Sequence, residues 1–299
     1  MQKNKKKIAI TGGSGFVGKY LLDLLNPHYN CVIFGRTKGE DFEVNGRKIS
    51  YIQTDYKKEQ LIKQLKGVQA VVHMAAKKYE PTEQMSDYFT SINASDNLFY
   101  ACVTLNITNV VFLSSRAVYG VNPKIPWREE IETAPSTFYG ISKMTIEKIA
   151  GYYNSRYDLN IKILRLAQII GLDEREEYMF STFLNQARYK KRLKIWGEGK
   201  GSRDYIYVKD AVRAIEKSLK NDNIKGIFNI GSNKSISHRE LAETINNVFE
   251  NIGNLDFLKD KKEDTAKYLM NSNNAASELG WIAKWTLRDA LIDMQRNSK

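Results

Sequence analysis

The stretch "TFYGISKMT" (residues 137–145) sets Tyr139 four positions before Lys143. On a helix, residues i and i+4 share a face about one turn apart, so a phenol and an ammonium so spaced can act together. A free phenol titrates near ~10, too high for base chemistry at neutral pH, and a neighbouring positive charge favours the phenolate. Lys143 supplies such a charge. Upstream, the apolar run "NVVFLSS" closes on Ser114 and Ser115, two hydroxyls at the carboxyl end of a predicted strand. A serine holding a substrate oxygen, a tyrosine moving its proton and a cofactor moving a hydride make a complete carbonyl/alcohol redox site.

The cofactor is signalled by "ITGGSGFVGKYL", where Gly12, Gly15 and Gly18 stand between a predicted strand and a predicted helix. Such a loop lets backbone approach a pyrophosphate and presents helix N-terminal N–H groups to it, so a dinucleotide is expected. With the phosphates there, the nicotinamide reaches the end of "NVVFLSS", beside Ser114 and Ser115. Which dinucleotide depends on the end of the second strand, where an acid accepts ribose hydroxyls and an arginine accommodates a 2′-phosphate. "CVIF" ends in Gly35-Arg36, close to where that acid belongs. NADP(H) is therefore expected ahead of NAD(H), which stays open if Arg36 is a solvated loop residue. Asp55 in "QTDYKK" is placed either to meet the adenine amino group or to cap the helix that begins near Lys57.

These residues need a scaffold, and the chain alternates. Predicted strands at "KKIAIT", "CVIF", Ile49 to Ile52, "QAVVHM", "NVVFLSS" and "IKILRLAQII" are separated by helices, including one near Lys57 to Leu65, one from about Glu83 to Leu105 and one from Thr137 to Tyr157. This predicts an α/β fold with a Rossmann-like, doubly wound parallel sheet covered on both faces. Residues 1–167 are expected to form the dinucleotide-binding domain and 168–299 mainly a smaller substrate-binding lobe, with 206–230 returning to the sheet through "GIFNIG". Helices at Tyr178 to Lys190, Val208 to Lys220 and His238 to Phe249 fit a lobe over the carboxyl ends of the strands, where open α/β sheets bind ligands.

Composition narrows the function classes. With 299 residues, 42% hydrophobic, the chain can bury a sizeable core. It has no apolar window long enough for a membrane helix, and "MQKNKKK" lacks the apolar run of a secretory signal, so a cytoplasmic location is expected. Cys31 and Cys102 lie in apolar stretches and read as buried thiols, not as a disulfide or metal ligands. The net charge of +12 is scattered apart from "MQKNKKK" and "RYKKRLK", which suits a phosphate-bearing small molecule better than nucleic acid.

Over nearly its whole length the chain resembles the extended short-chain dehydrogenase/reductase family, in particular its NAD(P)-dependent nucleotide-sugar epimerases, dehydratases and reductases. "TGGSGFVG", "HMAA" (73–76), "SSRAVYG", "YGISK", "GSRDYIYVKDAV" and "ASELGW" carry the likeness. It implies Ser115 as the catalytic hydroxyl, Tyr139 as acid/base and Lys143 as the group that lowers the tyrosine pKa and holds the nicotinamide ribose. It also implies a cofactor cleft over Phe16, Val17, Tyr56, Ala75 and Ala76, and a nucleotide-diphosphate sugar whose diphosphate meets Arg203, unless Arg203 is a surface residue. Homodimerisation through the 83–105 and 137–157 helices is implied as well.

The chain departs from the family pattern in places. Sugar 4,6-dehydratases carry an Asp-Glu pair after the catalytic hydroxyl residue, and here Arg116-Ala117 stands there, which disfavours dehydration. Reduction of a 4-keto sugar by NADPH and 4-epimerisation remain, and Arg36 tilts the expectation toward the reductase. Arg116 faces either a substrate or solvent. Gln168 replaces the family's substrate-side asparagine, and "KKED" (261–264) stands where an Arg-x-Gly-Asp is usual. Relatives that serve as cofactor sensors or RNA-binding proteins typically lose the tyrosine or lysine, and this chain keeps both.

Overall fold

Both faces of the first strand are covered: in β1 (Lys7–Thr11), Ile8, Ala9 and Ile10 are at most 1% exposed. A strand buried on both sides has no need of alternation, which is why it reads as a continuous apolar run. After it come α1 (Phe16–Leu25), β2 (Asn30–Gly35), β3 (Phe42–Val44), β4 (Arg47–Gln53), α2 (Lys58–Gln64), β5 (Ala70–His73), α3 (Ser86–Thr104), β6 (Asn109–Ser115), α4 (Phe138–Arg156) and β7 (Asn160–Leu166). The computed structural model describes residues 5–44, 46–77, 79–80, 84–121, 124–174 and 177–298. Glu83, the expected start of α3, and the first four residues of "MQKNKKK" lie outside them.

The second half contributes β8 (Gln168–Ile170), α5 (Met179–Arg188), β9 (Leu193–Trp196), β10 (Ser202–Tyr207), α6 (Val208–Lys220), β11 (Gly226–Ile230), β12 (Ser235–Ser237), α7 (His238–Val248), β13 (Leu255–Leu258), α8 (Asn273–Leu279) and α9 (Leu287–Asn297). The main sheet has eight strands in the order β11-β7-β6-β5-β1-β2-β4-β3, all parallel to their neighbours except β3. Strand order runs outward in both directions from β1, so the crevice at the carboxyl ends of β1 and β5 is the topological switch point.

Alternate residues of each central strand enter two separate cores. Ile8, Ile10, Ile33, Val72 and Val111 join Leu21 and Leu22 of α1 and Ile215 of α6. Ala9, Val32, Phe34, Val71 and Phe112 join Leu61 of α2, Phe99 of α3 and Ile146 of α4. Fold class, parallel sheet and the return of "GIFNIG" as β11 beside β7 agree with expectation.

Two assignments change. "IKILRLAQII" is two strands: Ala167 N–H makes the last bond to the edge strand, at Ile230 O (3.0 Å), and β8 then pairs with β10. Beyond Ser115 the chain of β6 turns away, so the next residues have no partner on that side and take one from the small lobe. The helix 208–220, expected in that lobe, instead packs on α1 under the main sheet through Val208, Ala211, Val212, Ile215 and Leu219.

The small lobe is a three-stranded sheet β12-β10-β8, a two-stranded sheet β13-β9, and the helices around them. "ASELGW" anchors the C-terminal segment. Gly280 adopts a left-handed conformation (φ +61°) after α8, and Trp281 is fully buried with its indole N–H donating to Asp210 O (3.1 Å).

Candidate active site

Three glycines make the loop after β1, each for a different steric reason. Gly12 has φ +72°, and a Cβ there would lie 2.9 Å from the Ala75 nitrogen. Gly15 is the N-cap of α1 and offers no side-chain cap, while a Cβ on Gly18 would run into the Gly13 carbonyl. The first-turn N–H groups of α1, from Phe16 to Gly18, have no partner inside the helix and no acidic side chain beside them. A dinucleotide pyrophosphate fits this uncapped end. Phe16 turns its ring toward Gly171, and Val17 is partly buried beside it in the core.

Beneath the loop, "HMAA" acts as a clamp. Ser95 Oγ donates to Ser91 O (2.7 Å), so it accepts from His73 Nε2 (2.9 Å), and His73 Nδ1 accepts from the Thr11 hydroxyl (2.7 Å). Thr11 Oγ1 in turn accepts the N–H groups of Met74 and Ala75, both at 3.1 Å. Burial holds the His73 pKa down at about 3, so the imidazole stays neutral and the clamp does not titrate at working pH. Ala75 and Ala76 thereby stand against the glycine loop.

At the end of β6 the two serines separate. Ser115 accepts Ala117 N–H (3.2 Å) at the start of a 3-10 turn (Arg116–Tyr119), and its side chain is hydrogen-bonded to Tyr139. Ser114, expected beside the nicotinamide, is buried instead and donates to Glu147. Glu147 forms a buried pair with Arg165 (2.7 Å), which also donates to the Tyr119 hydroxyl (2.8 Å). Neighbouring strand residues point to opposite faces, so only one serine can reach the site.

Thr137 caps α4 by accepting Gly140 N–H (3.0 Å), which delivers Tyr139 and Lys143 to the sheet edge. Lys143 Nζ donates to Leu113 O (2.6 Å) and lies 5.9 Å from the centre of the Tyr139 ring. Burial lowers the Lys143 pKa to about 8, with Glu147 acting against it. Burial likewise raises the Tyr139 phenol, opposed by the Ser115 hydrogen bond and the Arg116 charge. Arg116, which the sequence left facing either a substrate or solvent, thus joins Lys143 as a second cation close to the phenol.

The small lobe closes the site from the other side. Tyr268 carries two guanidinium groups over its ring, Arg116 at 4.7 Å and Arg203 at 5.0 Å from the centroid. Arg203 is half-buried and paired with Asp264 (2.8 Å), so it is no bare surface residue. Gln168 donates to Glu174 Oε1 (3.1 Å), Ser181 donates to Oε2 (3.0 Å), and burial raises the Glu174 pKa to about 7. Register places Tyr205 opposite Gln168. Tyr205 falls inside the "GSRDYIYVKDAV" segment, whereas Tyr268 and Glu174 carry no local sequence signal. Only the pairing of β8 with β10 exposes them as site residues.

The other expected cofactor contacts differ among themselves. Arg36 is exposed at the end of β2, and its guanidinium has no hydrogen bond or ion pair among the described residues. Asp55 Oδ1 accepts Lys57 N–H (2.9 Å) and Oδ2 faces Lys57 Nζ (3.3 Å), a turn that leads into α2, whose N-cap Lys57 has no side-chain cap. Tyr56 is buried, its hydroxyl donating to Phe34 O (3.3 Å), and burial raises its pKa to about 12.

Residues 8–231 match the sequence profile of the NAD dependent epimerase/dehydratase family. The chain belongs to that family. Among solved structures of similar proteins, the UDP-N-acetylglucosamine 4-epimerase of Bacillus cereus is 32% identical, superimposes with a TM-score of 0.89, and is matched over 98% of this chain and 96% of its own. MoeE5 in complex with UDP-glucose and NAD is 25% identical, with a TM-score of 0.84 over 98% of this chain and 99% of its own. The dTDP-4-dehydro-6-deoxyglucose reductase of Escherichia coli is 26% identical over 97% of each chain. This family member is thus an enzyme of the nucleotide-sugar epimerase/dehydratase type, with the expected Rossmann-like fold. Among its described residues, no helix is long and apolar enough to cross a membrane.

Proposed function

We propose that the chain is a 4-epimerase of a UDP-linked sugar that keeps NAD bound through its catalytic cycle. The observation that carries this reading is the Ser115–Tyr139 hydrogen bond beside buried Lys143, with Arg116 where a dehydratase would place an acid. The 32% identical B. cereus epimerase and the NAD held by MoeE5 support it.

When bound, the dinucleotide supplies acceptance and return of a hydride. The chain's own part is proton handling and positioning. Ser115 Oγ holds the sugar C4 oxygen while Tyr139 Oη takes its proton and later gives it back. Lys143, desolvated and near its titration point, lies one helical turn from the phenol and adds positive potential as the phenolate forms. The glycine loop and the N-terminal turn of α1 hold the pyrophosphate, and Arg203 receives the substrate diphosphate as a fork kept in place by Asp264. Residues 1–167 with 206–230 bind the dinucleotide, and the rest of 168–299 binds the sugar nucleotide.

A second reading, an NADPH-dependent 4-keto sugar reductase, is favoured by one feature, the unpartnered Arg36 at the end of β2, together with the likeness to the E. coli reductase. Denaturing the purified protein and identifying the released dinucleotide by mass spectrometry tests both. Bound NAD, with conversion of a UDP-sugar to its 4-epimer without added cofactor, is the expected result. Empty protein that consumes NADPH only with a 4-keto sugar nucleotide would replace the epimerase by the reductase. Exposed Phe89 and Tyr100 on α3 and Tyr152 on α4 further support homodimerisation through these helices, which light scattering would measure.

A further inference from the structure

Arg116 stands out among the charged groups of the site. Arg203 has Asp264, Arg165 has Glu147 and Arg213 has Asp210, but Arg116 makes no hydrogen bond or ion pair among the described residues. Its guanidinium is half-buried against the Tyr268 ring, in the residue directly after Ser115. Burial and the charge of Arg203 both disfavour its ionised form. An arginine does not escape such a place by losing its proton, so an anion beside it brings a large gain.

Two described acids of this region are already engaged. Asp204 is buried with its oxygens taken by Ser232 N–H (2.8 Å), the Ser232 hydroxyl (2.7 Å) and Met270 N–H (3.3 Å). Glu174 accepts from Gln168, the register partner of Tyr205, and from Ser181. A second donor is also left over: the Tyr205 hydroxyl is buried, on a residue 6% exposed, and has no hydrogen-bond partner among the described residues. Tyr205 lies within electrostatic reach of Arg116, Arg203 and Glu174. A buried hydroxyl left unmatched costs about 1–3 kcal/mol, a cost that a ligand acceptor removes.

We infer that Arg116, aided by the Tyr205 hydroxyl, binds an acidic substituent on the sugar, so that the substrate is a nucleotide sugar carrying a carboxylate in addition to its diphosphate. Placement argues for the sugar over the diphosphate. Arg116 is fixed to the chain beside Ser115 and acts on the Tyr139 phenol, whereas Arg203 comes from β10 and is the arginine assigned to the diphosphate. The inference rests on the nucleotide-sugar reading above and refines it.

Calorimetric titration of the full-length protein as purified tests it with two matched pairs and a common fragment. UDP-glucuronic acid against UDP-glucose asks for a carboxylate at C6. UDP-N-acetylmuramic acid against UDP-N-acetylglucosamine asks for one on the C3 ether, and UDP alone reports the diphosphate. In the wild-type protein one acid should bind at least ~10-fold more tightly than its neutral partner, the scale of a charged hydrogen bond. Arg116→Met should cut that acid-to-neutral ratio by ~10-fold or more, Arg116→Lys should keep part of it, and Tyr205→Phe should lower it by ~3-fold or more. Neutral sugars bound as well as both acids would overturn the inference, as would an Arg116→Met effect equal on acid, neutral sugar and UDP. Failure of UDP and all four sugars to bind would overturn the UDP-sugar reading itself, a result distinct from loss of acid selectivity alone.

Discussion

The two walls of the cleft are built from different materials. On the dinucleotide side the contacts offered are backbone N–H groups, glycines and small side chains, locked by the neutral relay from Ser95 through His73 to Thr11. On the small-lobe side they are charged and aromatic side chains, Arg116, Arg203, Tyr205 and Tyr268, drawn from three distant stretches of chain. The first wall is neutral and tightly packed, suited to a cofactor shared across a family. The second spends buried charge on whatever distinguishes one substrate from another. Tyr139 stands where they meet, beside Ser115, Lys143 and Arg116, with Arg116 reaching from the end of β6 to Tyr268 of the small lobe.

The largest effect should come at that meeting point. Tyr139→Phe is expected to lower turnover by at least ~100-fold while dinucleotide binding persists. Near-normal turnover in a steady-state assay would remove the proton-transfer role. Next in size, Glu147→Gln leaves Arg165 without its charge partner inside the protein. It should destabilise the fold by about 3–5 kcal/mol in denaturant unfolding, the scale for breaking one side of a buried pair. A loss below about 1 kcal/mol would mean that the Ser114–Glu147–Arg165 network is not the support beneath the site.

Smaller still is a pH effect on the substrate wall. The Glu174 pKa is raised from 4.5 to about 7, so the unfolded chain releases this proton first and stability falls as pH climbs between those values. Glu174→Gln should therefore melt higher than the wild type at pH 8, by about 1–2 kcal/mol after allowance for its partial exposure, with the difference vanishing near pH 4. Equal melting temperatures at pH 8 would show that Glu174 is not held protonated. Last, Arg36→Asp tests the dinucleotide wall. Fluorescence titration should show the ratio of NADPH to NADH affinity falling by ~10-fold. An unchanged ratio would mean that Arg36 does not meet a 2′-phosphate.

How far each wall could be foreseen follows from the distance over which its signals act. Strand and helix periodicity, the glycine spacing and the four-residue step from Tyr139 to Lys143 are local. They predict the α/β class, the uncapped start of α1 and the helix that carries both residues, because a few neighbouring side chains settle each of them. Ser115 and Ser114 look equivalent in "FLSS", and strand alternation alone decides which one enters the core. The burial of Tyr56, with its hydroxyl donating to Phe34 O, has no local signal either.

The amino-acid sequence by itself thus determined the parallel sheet, its crossover helices and the candidate hydroxyls at the sheet edge, all consequences of short-range pattern and turn sterics. Only the tertiary structure decided the partner of each charge. Arg116, Arg203 and Tyr268 converge because β8 leaves the main sheet to pair with β10 and an isolated bridge joins Ser202 to Lys267, beside Tyr268. The energy of a buried cation depends on what surrounds it in space, and chain order does not encode that neighbourhood locally.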